Sequence, residues 1–506
     1  MVKQSLWRIH LPLMILGFLA ADTAQAAGYY MSSVGTRAYS RGGAFIAGAD
    51  NLLAMYHNPA ALIRLDRPQF MLDVAGVQQW VEFNRKPVPG NGPLDDFGYP
   101  TDITYDTVTN NAPPYPIPHI AVSHTFGLPN TVFAFGLYPP YAPDLAYDPD
   151  GSQRYSLIDT TVIQTIVGPS VAHRFKDWVT VGGGVSWNTL IAEQELKVSL
   201  PFHSTQALDV LDSEWSPEPN EDPANDLSFS FRAVDKAALG WNMGLLLEPP
   251  ESRWAVGAMV QAPVAFNSKG EMTADFSGHS LYTDGLLGND VIMNETTEDK
   301  DVTLNVTMPL ILKAGVLFRP TDRSEIELAS VWQNWSSIEE LAITDVDMVI
   351  DLNENLLDGL PISAEDAIPI EDAIINEDVV LPTDYRDSWS IRLGGQQALN
   401  DRWIVRMGGF FETSGIPTAT QSVSLVDGNK FGYGAGASFW AGDNCAIDFG
   451  VFQSFLQERK ITNSEAQQIS IHPINGSFLE GTVVGDGTFR SSVFIFGGGL
   501  NWYFGA

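Results

Sequence analysis

The chain has 506 residues, 44% hydrophobic and 11% aromatic, with 45 glycines and 31 prolines, a composition neither disordered nor collagen-like. A mean hydropathy of −0.02 is far too polar for a bundle of membrane helices. A formal charge of −33 argues against nucleic acid as a partner, because phosphate binding needs clustered Lys and Arg. The single cysteine, Cys445, rules out a disulfide framework and a Cys-based zinc site, and reads as a small structural residue.

The first residues read as an export signal. Lys3 and Arg8 form a basic region, 11–21 (LPLMILGFLAA) an apolar one, and Ala24-Gln25-Ala26 fits the small-x-small cleavage rule. Residues 1–26 are therefore expected to be removed, leaving Ala27 at the new amino terminus. The apolar run is too short to span a membrane, and no lipoprotein cysteine follows it. Residues 27–67 are rich in Gly and Ala and lack sustained alternation, so a compact, mostly irregular element is predicted. It holds a short helix capped by Asp50, running through Met55 and ended by His57-Asn58-Pro59. Such a segment can hardly bury a core alone and needs a host to sit in.

From Pro68 to residue 506 the pattern changes to segments in which small, aromatic and β-branched residues alternate. Strands are predicted near 68–84, 117–126, 131–138, 160–175, 178–195, 237–248 and 253–266. Seven more follow near 303–319, 325–335, 388–399, 403–413, 430–440, 446–456 and 489–504, about fourteen in all. The connections alternate in length. Short turns rich in Gly, Pro, Asn and Asp, such as Lys176-Asp177 and Asn400-Asp401-Arg402, alternate with long polar loops at 85–116, 139–159, 196–236, 267–302, 336–387, 414–429 and 457–488. Short periplasmic turns alternating with long external loops are the pattern of a transmembrane barrel, with both chain ends on the periplasmic side.

The two faces of the strands agree with this. Leu310, Leu312, Ala314, Val316 and Phe318 share one face, opposite Lys313 and Gly315. Trp389, Ile391 and Leu393 lie opposite Arg392, and Trp403, Val405, Met407 and Phe411 lie opposite Arg406. Lipid outside and a lumen inside require this alternation. Trp178, Trp254, Trp335, Trp389, Trp403, Trp440, Trp502 and Tyr503 are predicted to form interfacial girdles. The fold class expected is an all-β membrane protein, a 14-stranded antiparallel transmembrane β-barrel.

Three stretches resemble the FadL-type family of long-chain fatty acid and hydrocarbon transporters of the outer membrane. The first, GTRAYSRGGAFIAGADNLLAMYHNPAALIRLDRPQF, contains Asn58-Pro59-Ala60 and the Asp66-Arg67-Pro68 lead into the first strand. The second, MPLILKAGVLFRPTDRSEIELASVWQNWSSIEEL, contains Pro309 and Trp335-Ser336. The third, DYRDSWSIRLGGQQALNDRWIVRMGGFFETSGIP, contains Trp403, Arg406 and Gly408. The resemblance implies that 27–67 is a small N-terminal hatch, or plug, inside the lumen of a barrel formed by 68–506. It further implies capture of a hydrophobic ligand at the outer loops, passage to a lumenal pocket, and hatch movement that opens a lateral way into the membrane. The aromatic finish at Trp502-Tyr503-Phe504 resembles the signal read by the barrel-assembly machinery, although Gly505 and Ala506 extend beyond the usual final Phe. Outer-membrane lipid and lipopolysaccharide are the surrounding partners expected, and a monomer is the expected state.

Several residues are candidates for function. Tyr29 and Tyr30, beside the new amino terminus, either line the ligand pocket or pack as a frayed end. Asn58, Pro59 and Ala60 fix a turn that seats the hatch. A fatty carboxylate needs a buried cation, and Lys313, Arg392 and Arg406 face the lumen by alternation. Each either meets ligand or balances acidic groups of the lumen and hatch. The acidic loop 336–387 reads as a solvated external loop, with divalent-cation bridging to lipopolysaccharide as the other reading. No nucleophile elbow, phosphate loop or metal-ligand spacing accompanies these residues, so neither an enzyme nor a cofactor is expected. Uptake of long-chain fatty acids is the function expected. Uptake of aromatic or aliphatic hydrocarbons is the alternative on the same fold, and a general porin or a surface adhesin are alternatives of another class.

Overall fold

The computed structural model describes residues 33–504 apart from 94–100, 143, 202–220, 276–278, 280–301, 339, 346–347, 351–372, 376–378, 383, 472–477 and 480. The expected export signal, Tyr29, Tyr30 and the middle of the acidic loop lie outside the described residues. No described helix is long and apolar enough to cross a membrane. The chain crosses with strands instead.

Fourteen antiparallel strands form the wall. In chain order they are β1 (Gln69–Arg85), β2 (Tyr115–His124), β3 (Thr131–Tyr141), β4 (Asp159–Lys176), β5 (Val179–Ser199) and β6 (Asp226–Leu247). Then come β7 (Trp254–Gln261, resuming as Val264–Asp275) and β8 (Val302–Met308, resuming as Ile311–Thr321). The last six are β9 (Ser324–Gln333), β10 (Ser388–Ala398), β11 (Trp403–Glu412), β12 (Lys430–Trp440), β13 (Cys445–Leu456) and β14 (Gly487–Tyr503). β1 pairs with β14 from Gln69↔Tyr503 to Arg85↔Gly487, so the sheet closes on itself and leaves no edge. Closure is what hydrocarbon demands, because it offers a free edge no hydrogen-bond partner.

The alternation read from the sequence sets the two faces. Leu312, Val316, Ile391, Leu393, Met407 and Phe411 point outward and are exposed. Lys313, Arg392 and Arg406 point inward and are buried. Trp178, Trp254, Trp389, Trp403 and Trp502 lie half exposed at the ends of the apolar belt. Three of the expected girdle residues, Trp335, Trp440 and Tyr503, do not. Trp335 leaves the strand for a 3-10 turn (Trp335–Ser337) that tucks its ring inside, and Tyr503 turns inward to stack on Trp440 at 5.0 Å. The largest difference from the sequence reading is β6, which starts at Asp226 rather than near 237. Its outer extension carries Ser, Asp, Arg and Lys because it rises above the lipid, where lipid-face alternation no longer marks a strand.

Above the lipid the loops are tied together. Glu221 is fully buried and receives both terminal nitrogens of Arg85, the side-chain amide of Asn91 and the hydroxyl of Thr482. Arg154 donates to the Glu221 carbonyl at 3.0 Å and pairs with Asp226 at 2.7 Å. One carboxylate thereby joins segments of the loops after β1, β3, β5 and β13.

Candidate functional site: hatch, lumen and wall seams

Residues 33–67 lie within the ring, against inward-facing residues of strands on every side. The helix α1 (Thr36–Ser40) meets β11 to β14 and β1, and the 3-10 turn Pro59–Arg64 meets β3 to β6. The second helix, α2 (Ala54–His57), is shorter than expected, and Asp50 does not cap it. Asp50 instead pairs with Arg37 at 3.2 Å and with Arg406 at 3.8 Å. A partly buried carboxylate between two guanidinium groups is worth more there than at a four-residue helix, which has little dipole to stabilise. Asn58 does act at the turn. Its side-chain oxygen accepts from Ala60 N–H, while its amide donates to Ile46 and Leu245 carbonyls at 3.1 Å. Asn58 therefore joins two hatch segments to β6, and Pro59 begins the next turn where no N–H is needed.

Three wall carboxylates hold the hatch. Asp73 of β1 accepts the Thr36 N–H at 3.1 Å and faces His119 Nδ1 at 3.0 Å. Glu327 of β9, fully buried, accepts the N–H groups of Ile46, Ala47 and Gly48 at 2.7, 2.7 and 3.0 Å and pairs with Arg41 at 3.2 Å. Asp448 of β13 pairs with Arg37 at 2.8 Å. The irregular hatch backbone thus finds its acceptors on the barrel, as buried peptide groups must. Close approach is possible because the wall is bare where the hatch touches it. A Cβ on Gly434 would stand 1.8 Å from the Tyr39 carbonyl oxygen, and one on Gly408 2.1 Å from that of Arg41.

Above the hatch one sector of the lumen carries an apolar cluster. Ile46 and Ala44 of the hatch adjoin Leu190, Ala238, Val264, Phe266, Met308, Ile311, Val331 and Trp335 from β5 to β9 and the turn that follows. Barrel interiors are ordinarily polar, so an apolar cluster there marks a place for an apolar ligand. Lys313 lies on the same face of β8 as Ile311, two residues nearer the hatch. Its Nζ donates to the Tyr56 carbonyl at 3.1 Å and sits 3.6 Å from the centre of the Tyr56 ring.

The three inward cations differ in what they meet. Arg392 pairs with Glu412 at 3.1 Å. Arg406 meets Asp50, the Gln396 side chain at 3.0 Å and the Ser438 hydroxyl at 2.5 Å. Lys313 is buried and, among the described residues, has no carboxylate within ion-pair distance.

One seam in the wall stands beside the hatch. β2 keeps its ladder with β1 from Tyr115 to Ser123, but pairs with β3 only from Ile120↔Leu137 to His124↔Phe133. Pro116 and Pro118 on β2 and Pro139 and Pro140 on β3 have no N–H to donate across it. The ladder from β3 to β4 also jumps, from Tyr138 to Tyr141. Behind the seam the Tyr138 ring meets Tyr56 of the hatch edge-on at 5.7 Å. Tyr56 therefore touches both Lys313 and the residue that lines the seam.

Alternation placed Lys313, Arg392 and Arg406 correctly in the lumen, but could not tell which of them carries a carboxylate partner. It passed over Asp73, Glu327 and Asp448. Their signal is present, since each is a carboxylate at a lumen-facing position of a membrane-spanning strand. Among the described residues no cluster of His, Cys, Asp and Glu could hold a metal ion.

Comparison with known proteins agrees with this architecture. The family model described as outer membrane protein transport protein (OMPP1/FadL/TodX) matches residues 17–504. A long-chain fatty acid transport protein of Escherichia coli O6:H1 is 21% identical over 492 residues, covering 92% of this chain and 95% of that protein. The crystal structure of a Pseudomonas aeruginosa FadL homologue superposes with a TM-score of 0.69 at 17% identity, covering 95% of this chain and 100% of that one. The Pseudomonas putida toluene transporter TodX superposes at 0.59 with 14% identity, covering 94% and 99%.

Proposed function

We infer that this chain, which belongs to the OMPP1/FadL/TodX family of outer-membrane transporters of hydrophobic compounds, takes up long-chain fatty acids. The observation that carries the choice of a fatty acid is Lys313. A buried lysine amine with no carboxylate partner among the described residues, at the foot of an apolar cluster, suits a ligand that brings a carboxyl group and an alkyl chain together. A charged hydrogen bond of this kind contributes about 1.5–3 kcal/mol. The alkyl chain gains about 25 cal/mol for each Å² removed from water among Ile46, Leu190, Phe266, Met308 and Ile311.

Passage follows from the same contacts. A carboxylate that draws Nζ of Lys313 away from Tyr56 weakens the hold of the wall on that ring. Tyr56 also backs Tyr138, so ligand in the lumen loosens the hatch at the β2–β3 seam. The alkyl chain then leaves sideways into the membrane while the rest of the hatch keeps water and ions out.

The test is uptake by a transporter-deficient strain expressing this chain, supplied in parallel with labelled oleate and labelled toluene. Lys313→Met should cut oleate uptake at limiting concentration by about tenfold or more and leave any toluene uptake unchanged. Toluene uptake without oleate uptake in the unaltered protein would replace the fatty-acid reading with the hydrocarbon one. Equal loss of both ligands in Lys313→Met would show that Lys313 holds the hatch rather than the carboxylate.

A further inference from the structure

The wall has a second interruption, four strands round from the first. β6 and β7 pair from Leu247↔Val256 to Asn242↔Gln261 near the short turns, and again from Val234↔Lys269 to Ser228↔Asp275 further out. Between these stretches, residues 235–241 and 262–268 carry no ladder. One backbone bond, from Ala262 N–H to the Trp241 carbonyl at 3.0 Å, marks the lower edge. Seven residues intervene on each strand, so the register resumes unchanged. The strands part and rejoin without slipping.

The causes are visible in the chain. Pro263 stands at the break in β7, and Pro309 breaks β8 at the same height, where Val264 faces Met308 and Ile311 faces Gln261. On β6 the ladder to β5 skips from Ala238 to Asp235, a bulge opposite Thr189. The Asp235 carboxylate then stands in for part of the missing ladder, accepting the N–H groups of Ala237 at 3.0 Å and Asn267 at 2.9 Å.

Both sides of this gap have distinct chemistry. In its lower part on the outer face, Leu239 and Trp241 are exposed apolar residues of the lipid belt. At its upper end and just above, Arg232, Asp235, Lys236, Asn267, Lys269 and Glu271 line a polar hollow of about 490 Å³. The gap therefore straddles the outer edge of the hydrocarbon. On the lumen side, Ala238, Val264 and Phe266 belong to the apolar cluster that reaches Ile46 of the hatch. The Ser268 hydroxyl is fully buried and has no hydrogen-bond partner among the described residues. Unpaired backbone groups in hydrocarbon cost several kcal/mol each. A wall meant to stay sealed would zip this interval, since its register already permits it.

We propose that the β6–β7 gap is a second lateral window, through which a single-tailed lipid with a carboxylate head passes between the lumenal cluster and the outer leaflet. The buried Ser268 hydroxyl meets the polar head on the way. This rests on the transport function inferred above, and adds to it a route separate from the β2–β3 seam.

The test uses the full chain with Cys445→Ser. Lys236→Cys and Asn267→Cys, both exposed and at the same register height, are bridged by oxidation or by a short bismaleimide. Phe411→Cys with Phe431→Cys, directly paired on the outer face of β11 and β12, serves as the reference bridge. Bridging the window should slow oleate uptake several-fold relative to the same protein before bridging, and the reference bridge should change nothing. Oleate carrying a diazirine should also label Ala238 or Phe266 in the unaltered protein. Full uptake through the bridged window, with label confined to the β2–β3 seam, would overturn the window and leave the transport function standing. An unaltered protein that takes up no oleate would overturn both.

Discussion

Glu327 is where the hold of the barrel on the hatch is most concentrated, so its removal has a calculable effect. Its two oxygens receive three backbone N–H groups and the Arg41 guanidinium, all in a fully buried setting. In Glu327→Ala the three N–H groups lose their acceptor at about 1–3 kcal/mol each. Arg41 loses its nearer partner and keeps Glu325 at 3.6 Å, which softens that part of the loss. Together this weakens docking by several kcal/mol. At about 1.4 kcal/mol per decade, the fraction of barrels with a displaced hatch rises by at least two orders of magnitude. Glu327→Gln should fall between, because its amide nitrogen would face the Gly48 N–H and Arg41, donor against donor. The assay is conductance in planar bilayers with limited proteolysis of the hatch, and with heat-modifiable migration as the control for an intact barrel. Glu327→Ala barrels that stay as tight and as protease-resistant as the unaltered protein would refute this account of how the hatch is held.

Other substitutions probe other parts of the same structure. Gly434→Val should open the channel to small hydrophilic solutes, because its Cβ would stand 1.8 Å from the Tyr39 carbonyl oxygen, while Gly498→Ala, whose Cβ would meet nothing nearer than the Asp448 carbonyl oxygen at 3.9 Å, should not leak; influx of a hydrophilic antibiotic compares them. Glu221→Ala leaves the buried Arg85 without its carboxylate, at a cost of about 3–5 kcal/mol. The outer loops should then become protease-sensitive on intact cells with the membrane-spanning wall unchanged. Burial alone would raise the Glu248 carboxyl, at the short-turn rim, but Arg64 and Arg319 hold it below the ordinary carboxylate range. Its hold on Arg64 of the hatch is therefore complete above the unfolded value of about 4.3 and is lost as pH falls through the lower folded value. Leakage at acid pH in the unaltered protein should appear already at neutral pH in Glu248→Gln. A leak that rises equally with acid in both would remove Glu248 from that role.

Much of the barrel was legible before any coordinates. Lipid outside and a lumen inside impose a two-residue period, and turns of unlike length impose a direction, so all fourteen strands were located from pattern. The errors came where lipid stops writing the pattern. The outer part of β6 rises above the membrane, and Trp335 leaves its strand for the lumen. The hatch was legible mainly by resemblance, since it follows no period and its partners lie hundreds of residues away. Arg41 and Glu327, 286 positions apart, meet only once the sheet closes. The seams were written in the sequence as prolines: Pro118, Pro263 and Pro309 inside predicted strands, and Pro116, Pro139 and Pro140 just beyond the predicted ends of theirs. Proline there implies a missing rung, but the neighbour that loses it is known only from the register.

The central claim is that a plugged barrel passes apolar solutes while excluding polar ones, and a flux comparison tests it directly. Purified protein in liposomes should carry labelled oleate well above protein-free vesicles and leave labelled sucrose at background. Deletion of 27–67 should let sucrose through. Sucrose flux through the unaltered barrel at the level of an open pore, with no gain for oleate, would contradict it.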